Sequence, residues 1–240
     1  MRENAGIPQL KIRIESLSKS FVIGNKQKLV LDGINLTVAE REFVSVVGPS
    51  GCGKSTLLNV ISGLEEQDTG LVKVEGVPDS LRLGKISYMQ QKDLLFPWRT
   101  VLDNTILGLE INGVTRKEAR KKALELVEVF GLKGFENQYP FVLSGGMRQR
   151  AAFLRTMLLD EDVLLLDEPF GALDALTRTQ MREWLVELWS SLRKTIIFVT
   201  HDIDEALLLS DRVYVLTKRP ARVAMVLEVS LSRPRNFHQL

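Results

Sequence analysis

The residues best suited to chemistry form a glycine-rich run near the start of the chain. Residues 48–56 follow the pattern G-x-x-x-x-G-K-[S/T], which is typical of loops that bind phosphate. Glycines let the backbone approach an anion closely, so that successive N–H groups can converge on phosphate oxygens. Lys54 would add positive charge at the β- and γ-phosphates, and the Ser55 hydroxyl could bind Mg²⁺. The predicted phosphate-binding residues are Gly48, Pro49, Ser50, Gly51, Cys52, Gly53, Lys54, Ser55 and Thr56.

Two acidic residues end an apolar run much later in the chain. Residues 163–166 are typical of a buried parallel strand, and Asp167 and Glu168 follow them directly. Ligands of open α/β sheets bind at the carboxyl edge of the strands. Asp167 is therefore a candidate to hold Mg²⁺, and Glu168 is a candidate general base that orients and activates a water. A solvated strand end is the alternative, and the phosphate loop makes it less favoured.

Three further side chains are candidates because of their positions. His201 ends the predicted strand 195–199, where it would reach the γ-phosphate, although a lone histidine is more often structural. Gln91 follows the predicted strand 85–89, and its amide could touch Mg²⁺ or the attacking water. Phe21 is an aromatic residue that could be part of the core or could stack on an adenine ring.

A second anion-binding pattern lies at residues 143–150, which read LSGGMRQR. Ser144, Gly145 and Gly146 stand just before a predicted helix, and the N-terminus of a helix attracts anions. We call these three residues the second cradle, since the first anion-binding site is the loop 48–56. One triphosphate needs only one such site within a chain. A second site is useful if it closes over a nucleotide that another copy of the chain holds.

The surrounding sequence predicts the elements that position these residues. The apolar run 43–47 is expected to be a buried strand before the phosphate loop, and 57–61 a helix that ends near Gly63. Residues 9–17 alternate as in an antiparallel strand, and two more strands are predicted at 29–31 and 34–38.

Residues 101–158 show a helical pattern. A capping box at Thr115 should open one helix, with Gly131 at its C-terminal cap, and another helix should begin after Ser144. The predicted fold class is α/β: a P-loop NTPase core, mostly parallel with helices on both faces, plus a small antiparallel β subdomain and an inserted helical subdomain. We expect one domain, residues 1–240. Within it, residues 10–90 and 160–229 would form the nucleotide-binding core with its antiparallel part. Residues 91–159 would form the helical part, and residues 230–240 a tail.

The composition is that of an ordinary globular protein. Of 240 residues, 45% are hydrophobic and 26% charged, and the net charge of +2 favours neither nucleic acid nor an anionic membrane. The single cysteine, Cys52, excludes an internal disulfide and suits a reducing cytosol. No apolar stretch approaches the roughly 20 residues of a membrane span, and residues 1–10 lack a signal-peptide core. A soluble, intracellular chain is expected.

On these motifs the sequence resembles the ATP-binding subunits of ABC transporters, over residues 10–229. The resemblance implies a dimer that sandwiches two ATP molecules. The aromatic that stacks on adenine would be Phe21, and residues 48–56 would be Walker A. Gln91 would be the Q-loop glutamine; Gln90 is adjacent, and the spacing to Pro97 and Trp98 favours Gln91.

The remaining motifs resemble the family in the same way. Ser144, Gly145 and Gly146 match the signature that contacts the γ-phosphate across the dimer. Asp167 resembles the Walker B aspartate, and Glu168 resembles the catalytic base. Asp174 resembles the D-loop aspartate, and His201 resembles the switch histidine. Met147 stands where many members have Gln, and Gly171 where many have Ser. Neither departure removes a catalytic group.

Residues 95–101 and 171–178 resemble the nitrate, sulfonate and taurine importer group, and relatives that carry thiamine-precursor pyrimidines look alike. The resemblance implies an ATPase with ATP and Mg²⁺ that drives uptake of a small solute from the cytoplasmic face of the membrane. Its partners would be a second copy, transmembrane permease subunits and, indirectly, a solute-binding protein, with no nucleic acid. The apolar residues 94–98 would dock the permease or would plug a local core. The alternatives are an exporter motor and a non-transport ABC ATPase, although the chain shows no coiled-coil arm, zinc module or tandem domain.

Overall fold

The computed structural model describes residues 9–78, 82–171, 173–191, 194–233 and 235, which contain both strands and helices. The strands are β1 (Leu10–Ile23), β2 (Lys26–Ala39), β3 (Phe43–Val47), β4 (Thr69–Val74), β5 (Ser87–Met89), β6 (Val163–Asp167), β7 (Thr195–Thr200), β8 (Arg212–Leu216) and β9 (Val223–Glu228). The helices are α1 (Lys54–Ser62), α2 (Val101–Thr105), α3 (Leu107–Ile111), α4 (Arg116–Val127), α5 (Gly145–Met157), α6 (Ala175–Ser191) and α7 (Ile203–Leu209). A 3-10 turn spans Pro140–Val142.

The central sheet has six strands in the order β5-β6-β7-β3-β8-β9. The first five are parallel, and β9 is antiparallel to β8. Every residue of β3, β6 and β7 is buried, as expected for strands that are covered on both faces. Because the strands are parallel, the segments that follow β3, β5, β6 and β7 meet at one edge of the sheet.

The two faces of the sheet pack against different layers. In β6, Leu164 and Leu166 belong to a buried cluster that also contains residues of the helices α2, α4, α5 and α6. Val163 and Leu165 belong to a cluster on the other side, with residues of α1 and of the antiparallel sheet. This arrangement confirms the predicted fold class of a mostly parallel core with an added antiparallel sheet and a helical part.

The antiparallel sheet has the order β2-β1-β4 and differs from the prediction in one respect. The strands expected at 29–31 and 34–38 are one continuous strand, β2, and the turn before it contains only Gly24 and Asn25. Gly33 has φ 60° within β2, where the β1–β2 pairing also shifts register, so the strand bends there without ending. The prediction of two separate strands was therefore wrong.

The helical part follows the predicted pattern with shorter elements. The capping box is confirmed: the Thr115 side chain accepts a hydrogen bond from the Glu118 N–H, and its hydroxyl donates to Glu118 Oε2 at 2.8 Å. The expected cap at Gly131 is also confirmed. The helical bonding continues one turn past Val127, because the Phe130 N–H donates to Leu126 O at 3.0 Å. Gly131 is left-handed, with φ 62°, and its N–H donates to Glu128 O at 3.0 Å while the Leu132 N–H donates to Val127 O at 2.9 Å, which is the bonding of a glycine C-terminal cap. In the part of the chain that the structure describes, no helix is long and apolar enough to cross a bilayer.

Candidate functional site

The phosphate loop between β3 and α1 requires glycine at two positions. Gly51 has φ 71° and Gly53 has φ 130°, both in the left-handed half of backbone space that favours glycine. A Cβ atom on Gly53 would lie only 2.9 Å from Val30 Cγ1 and from Leu31 Cδ2. Strand β2 therefore forms a wall behind the loop, and a larger residue at position 53 would push the loop away from it.

The end of β8 and the segment after it form a second wall of the loop. A Cβ atom on Gly48 would lie 3.1 Å from Leu216 Cβ, and Arg219 Nη2 donates a hydrogen bond of 2.7 Å to Gly51 O. Sequence reasoning missed Arg219, because no local pattern links it to a loop so far away along the chain. This arginine therefore helps to fix the backbone of the loop at Gly51.

Lys54 is folded back over the loop. Its side chain is only 5% exposed, and Nζ donates to Gly48 O at 2.9 Å and to Pro49 O at 3.3 Å. The same Nζ lies 3.4 Å from Oε1 of Glu168. The lysine thus contacts both the phosphate loop and the acidic end of β6. From this position it could neutralise a negative charge bound between them.

Two more predicted catalytic side chains join Lys54 around Glu168. Gln91 Nε2 donates to Glu168 Oε2 at 3.3 Å, and His201 Nδ1 lies 3.3 Å from the same oxygen. Glu168 has φ 44°, a left-handed conformation that is uncommon for a non-glycine residue. Backbone hydrogen bonds hold it there: its N–H donates to Val199 O at 2.9 Å, and its C=O accepts from Gly171 at 3.0 Å. Such an enforced conformation fixes the direction of the carboxylate.

Asp167 is the buried member of the acidic pair. It is 4% exposed, and Tyr88 donates to its Oδ2 at 3.3 Å. Burial raises the pKa of Asp167, and the charge of Glu168 acts in the same direction, whereas Ser55, Tyr88 and Lys54 oppose the shift. Among the described residues, no hydrogen bond of normal geometry reaches Oδ1, although the Ser55 hydroxyl is close enough to affect the carboxyl. A buried carboxylate oxygen without a donor, beside a hydroxyl, is suited to a cation.

The residues of the second cradle, Ser144 to Gly146, cap helix α5. Ser144 accepts a hydrogen bond from the Met147 N–H at 3.2 Å, and the 13-residue α5 begins at Gly145. A Cβ atom on Gly146 would lie 2.6 Å from Thr177 Cγ2, so only glycine fits against α6. No hydrogen bond or ion pair within the described chain joins this cradle to residues 48–56.

The remaining candidates lie near these elements. Phe21 is half-buried on β1, packs against the cluster that contains Cys52, and has Lys19 Nζ 5.1 Å above its ring. Cys52 is itself buried, at 2% exposure, so the thiol faces the core and not the phosphate side. Asp174 precedes α6 and accepts a hydrogen bond from the Thr177 N–H at 3.0 Å. Ala172, which the sequence places in the D-loop, lies outside the described residues.

Comparison with known proteins places the chain in a family. Residues 31–171 match the family described as ABC transporter. The chain is 50% identical over 191 residues to the formylaminopyrimidine import ATP-binding protein ThiZ of Halalkalibacterium halodurans, which covers 80% of this chain and 74% of ThiZ. It is 43% identical over 227 residues to the aliphatic sulfonates import ATP-binding protein SsuB of Bacillus thuringiensis, which covers 95% of this chain and 89% of SsuB. It is 44% identical over 203 residues to the taurine import ATP-binding protein TauB of Rhizobium johnstonii. This alignment covers 85% of this chain and 78% of TauB.

Solved structures agree with these relatives. The dimeric structure of MJ0796, a bacterial ABC transporter cassette, superposes with a TM-score of 0.80 at 33% identity and covers 92% of this chain and 100% of that one. A post-hydrolysis state of MJ0796 bound to ADP and phosphate gives a TM-score of 0.79 at 31% identity, with the same coverage. The chain therefore belongs to the ABC transporter family. It is an ATP-binding and ATP-hydrolysing subunit, and the resemblance seen in the sequence is confirmed.

Proposed function

We propose that this chain is the ATP-hydrolysing subunit of an importer for a small sulfonate-like, taurine-like or thiamine-precursor-like solute. The import direction and the solute class are supported by the relatives, which are named as import ATP-binding proteins for formylaminopyrimidine, aliphatic sulfonates and taurine. The chain works at the cytoplasmic face of the membrane, bound to permease subunits that carry the solute, and a solute-binding protein delivers the solute to them.

The active form is a dimer of two copies. One observation carries this step: the Ser144 to Gly146 cradle has the form of an anion site but has no hydrogen bond to its own chain's residues 48–56 within the described structure. In the dimer, the cradle of one copy closes over ATP on the phosphate loop of the other. ATP then favours the closed dimer because it contacts both copies only in that state.

The geometry around Glu168 supplies the hydrolytic step. When phosphates enter the loop, they attract Lys54 away from Gly48 O and from Oε1 of Glu168. That oxygen is then free to accept a proton from the attacking water, while Oε2 stays bound to Gln91 and His201. Lys54 meanwhile stabilises the charge on the transferring phosphoryl group. His201 completes the site by contacting the γ-phosphate.

The buried end of β6 fits Mg²⁺. Asp167 Oδ1 and the Ser55 hydroxyl would hold the ion, and the amide oxygen of Gln91 is available because its Nε2 donates to Glu168. The described residues contain no ready-made group of three or more acidic, histidine or cysteine ligands, so phosphate oxygens would complete the coordination. Mg²⁺ bound there would neutralise charge on the β- and γ-phosphates.

The surface beside Gln91 fits a permease segment. Phe96 and Trp98 stack with ring centroids 5.1 Å apart, and Trp98 is 71% exposed. The segment that precedes them in the chain lines a cleft of about 560 Å³, whose lining includes Gln91, Lys92, Asp93, Leu94, Gln149 and Gly171. An exposed aromatic pair beside a cleft is typical of a surface that binds a partner.

Growth of the host tests the proposed solute class. The gene would be replaced by one that encodes Glu168→Gln, and growth would be measured with taurine or an alkanesulfonate as the sole sulfur source, and with formylaminopyrimidine as the sole thiamine precursor. We expect loss of growth on one of these sources, with recovery when wild-type protein is supplied. Normal growth on all three would contradict the solute class, and radiolabelled efflux from preloaded cells would then identify an exporter.

A further inference from the structure

A buried cluster of charges lies next to the loop that carries His201. Arg182 on α6 is 8% exposed, and Glu205 in the first turn of α7 is 4% exposed. Arg182 donates to Glu205 Oε1 from Nε at 2.8 Å and from Nη2 at 2.5 Å. The same Nη2 also donates to Asp202 Oδ2. The cluster therefore joins α6 to α7 through charged hydrogen bonds, of which the two between Arg182 and Glu205 are buried.

The cluster holds the residues on both sides of His201. The Thr200 hydroxyl donates to Glu205 Oε2 and accepts from the Asp202 N–H, the latter at 3.0 Å. Asp202 Oδ1 accepts from the N–H groups of Asp204 and Glu205 at 2.9 Å and 3.2 Å, which caps α7. The residues immediately before and after His201 are thus both held by side-chain hydrogen bonds.

The ring of His201 has little else to hold it. Its side chain is 54% exposed, and its one polar contact among the described residues is with Glu168 Oε2 at 3.3 Å. Because this one contact is long, the position of the His201 ring depends mainly on the backbone at residue 201. That backbone is fixed by Thr200 and Asp202, and both of these are fixed by the Arg182–Glu205 pair.

Stability alone does not account for such a cluster. Replacing a buried ion pair by apolar residues of similar volume is often neutral or stabilising, because the charges must be desolvated. What a fully paired cluster does provide is one defined geometry. Burial raises the pKa of Asp202, but the hydrogen bonds at the start of α7 and the charge of Arg182 outweigh it, so the pKa is lowered and the carboxylate remains ionised.

We propose that Arg182 and Glu205 are positioning residues that hold His201 against the reaction centre and tie its position to α6. The proposal rests on the role given to His201 in the proposed function. Helix α6 begins directly after Asp174, in the segment assigned to the D-loop, and Arg182 lies about 12 Å along the helix from it. A shift of α6 when two copies meet is therefore passed through Arg182 to His201.

Steady-state ATPase kinetics of the purified chain test the proposal. The variants are Glu205→Gln, Thr200→Val and the double variant Arg182→Met with Glu205→Met, which keeps the volume of the pair without its charges. We expect kcat to fall by about 10-fold to 100-fold while KM for ATP changes less than about twofold, as for a misplaced catalytic group. Urea unfolding of each variant would show whether the chain is folded, and the two single variants remain informative if the double variant is not.

Two controls separate positioning from general weakening. Arg212→Met breaks the part-buried Arg212–Glu42 ion pair, which has a 2.6 Å contact on the far side of the sheet, and it should leave kcat unchanged. In a His201→Ala background, Glu205→Gln should cause no further loss, because the residue it positions is gone. An equal additional loss in that background would overturn the proposal. Full turnover by His201→Ala alone would instead show that the role given to His201 in the proposed function is wrong.

Discussion

Lys54 Nζ lies 3.4 Å from Glu168 Oε1, so the group that would bind phosphate and the group that would activate water are in direct contact. The contact has a functional consequence. In the proposed mechanism, Glu168 can use that oxygen as a base once phosphate in the loop attracts the lysine away from it. Substrate binding and base activation would thereby be linked through one side chain.

Glu168→Gln should separate ATP binding from hydrolysis. The amide keeps the size of the side chain but cannot accept a proton, so we expect turnover to fall by at least about 100-fold. ATP should still bind, and the dimer should accumulate because it can no longer be opened by hydrolysis. Phosphate release and size-exclusion chromatography with light scattering measure the two effects. Hydrolysis at the wild-type rate would show that Glu168 is not the base.

Mixing two inactive variants should restore activity. Lys54→Ala removes the phosphate-binding charge, and Ser144→Ala removes the hydroxyl of the second cradle, so each homodimer should be nearly inactive. In the mixed dimer, one site combines an intact loop from one copy with an intact cradle from the other. ATPase activity that rises on mixing would support the shared site. If instead every mixture remains as inactive as its components, both halves of the site belong to the same chain.

Gly146→Ala should destabilise the folded chain, whereas Gly145→Ala should not. The new Cβ at position 146 would meet Thr177 Cγ2 at 2.6 Å, but a Cβ at position 145 would meet only Leu173 Cδ2 at an ordinary 3.5 Å. We expect a loss of about 1–3 kcal/mol for Gly146→Ala in urea unfolding, as for other overpacked sites.

The clash has a specific rescue. Thr177→Ser removes Cγ2 alone, so the double variant Gly146→Ala with Thr177→Ser should recover most of the lost free energy of unfolding. Absence of recovery would mean that the cost arises in the backbone of α5 and not in its contact with α6. Both glycine variants should still reduce ATPase activity, since each adds a methyl group to the cradle.

The stability of the nucleotide-free chain should depend on Asp167 in a pH-dependent way. Burial raises the pKa of this carboxyl, so the folded chain binds a proton there more readily than the unfolded chain does. Its contribution is therefore fully present below the pKa of the unfolded chain and is lost as the pH rises through the folded pKa. Asp167→Asn should raise the free energy of unfolding at neutral pH, and this gain should shrink as the pH falls.

Urea unfolding across acidic to neutral buffers measures the effect, and a gain of equal size at every pH would contradict it. Mg²⁺ with ATP provides a second readout. The nucleotide should stabilise the wild-type chain more than Asp167→Asn, because the variant lacks one of the oxygens assigned to the metal. Tyr88→Phe is a matched control that removes the hydrogen bond to Oδ2 but leaves the carboxylate in place.

Local signals in the sequence were enough to predict much of the fold. Helix α1 ends at Gly63, which is left-handed with φ 82°, and Ser144 caps α5, as their residue types indicate. The prediction failed where a residue's effect was not local. Two strands were expected at 29–31 and 34–38, but they are one, because the φ of 60° at Gly33 is absorbed by a bulge and β1 pairs with β2 on both sides of it.

The site was predicted as a set of residues but not as a geometry. The sequence pattern placed Glu168, Gln91 and His201 at one edge of the sheet. It did not show that Gln91 and His201 both contact Oε2 of Glu168. The long-range contacts of Arg219 and Arg182 were missed for the same reason. Side-chain pairing across many residues depends on strand order, and composition and periodicity do not determine that order.

The walls of the phosphate loop have a consequence for the synthesis of the chain. The loop and its strand β3 appear early, but β3 pairs with β7 and β8, and Gly51 is fixed by Arg219, 168 residues further along. Contacts of such sequence separation form late. A nascent or truncated chain that lacks the segment after β8 would thus carry the whole phosphate-binding motif without the contact that fixes Gly51. We expect such a chain to bind ATP more weakly than the finished domain, so that full binding strength comes only when translation of the domain is almost complete.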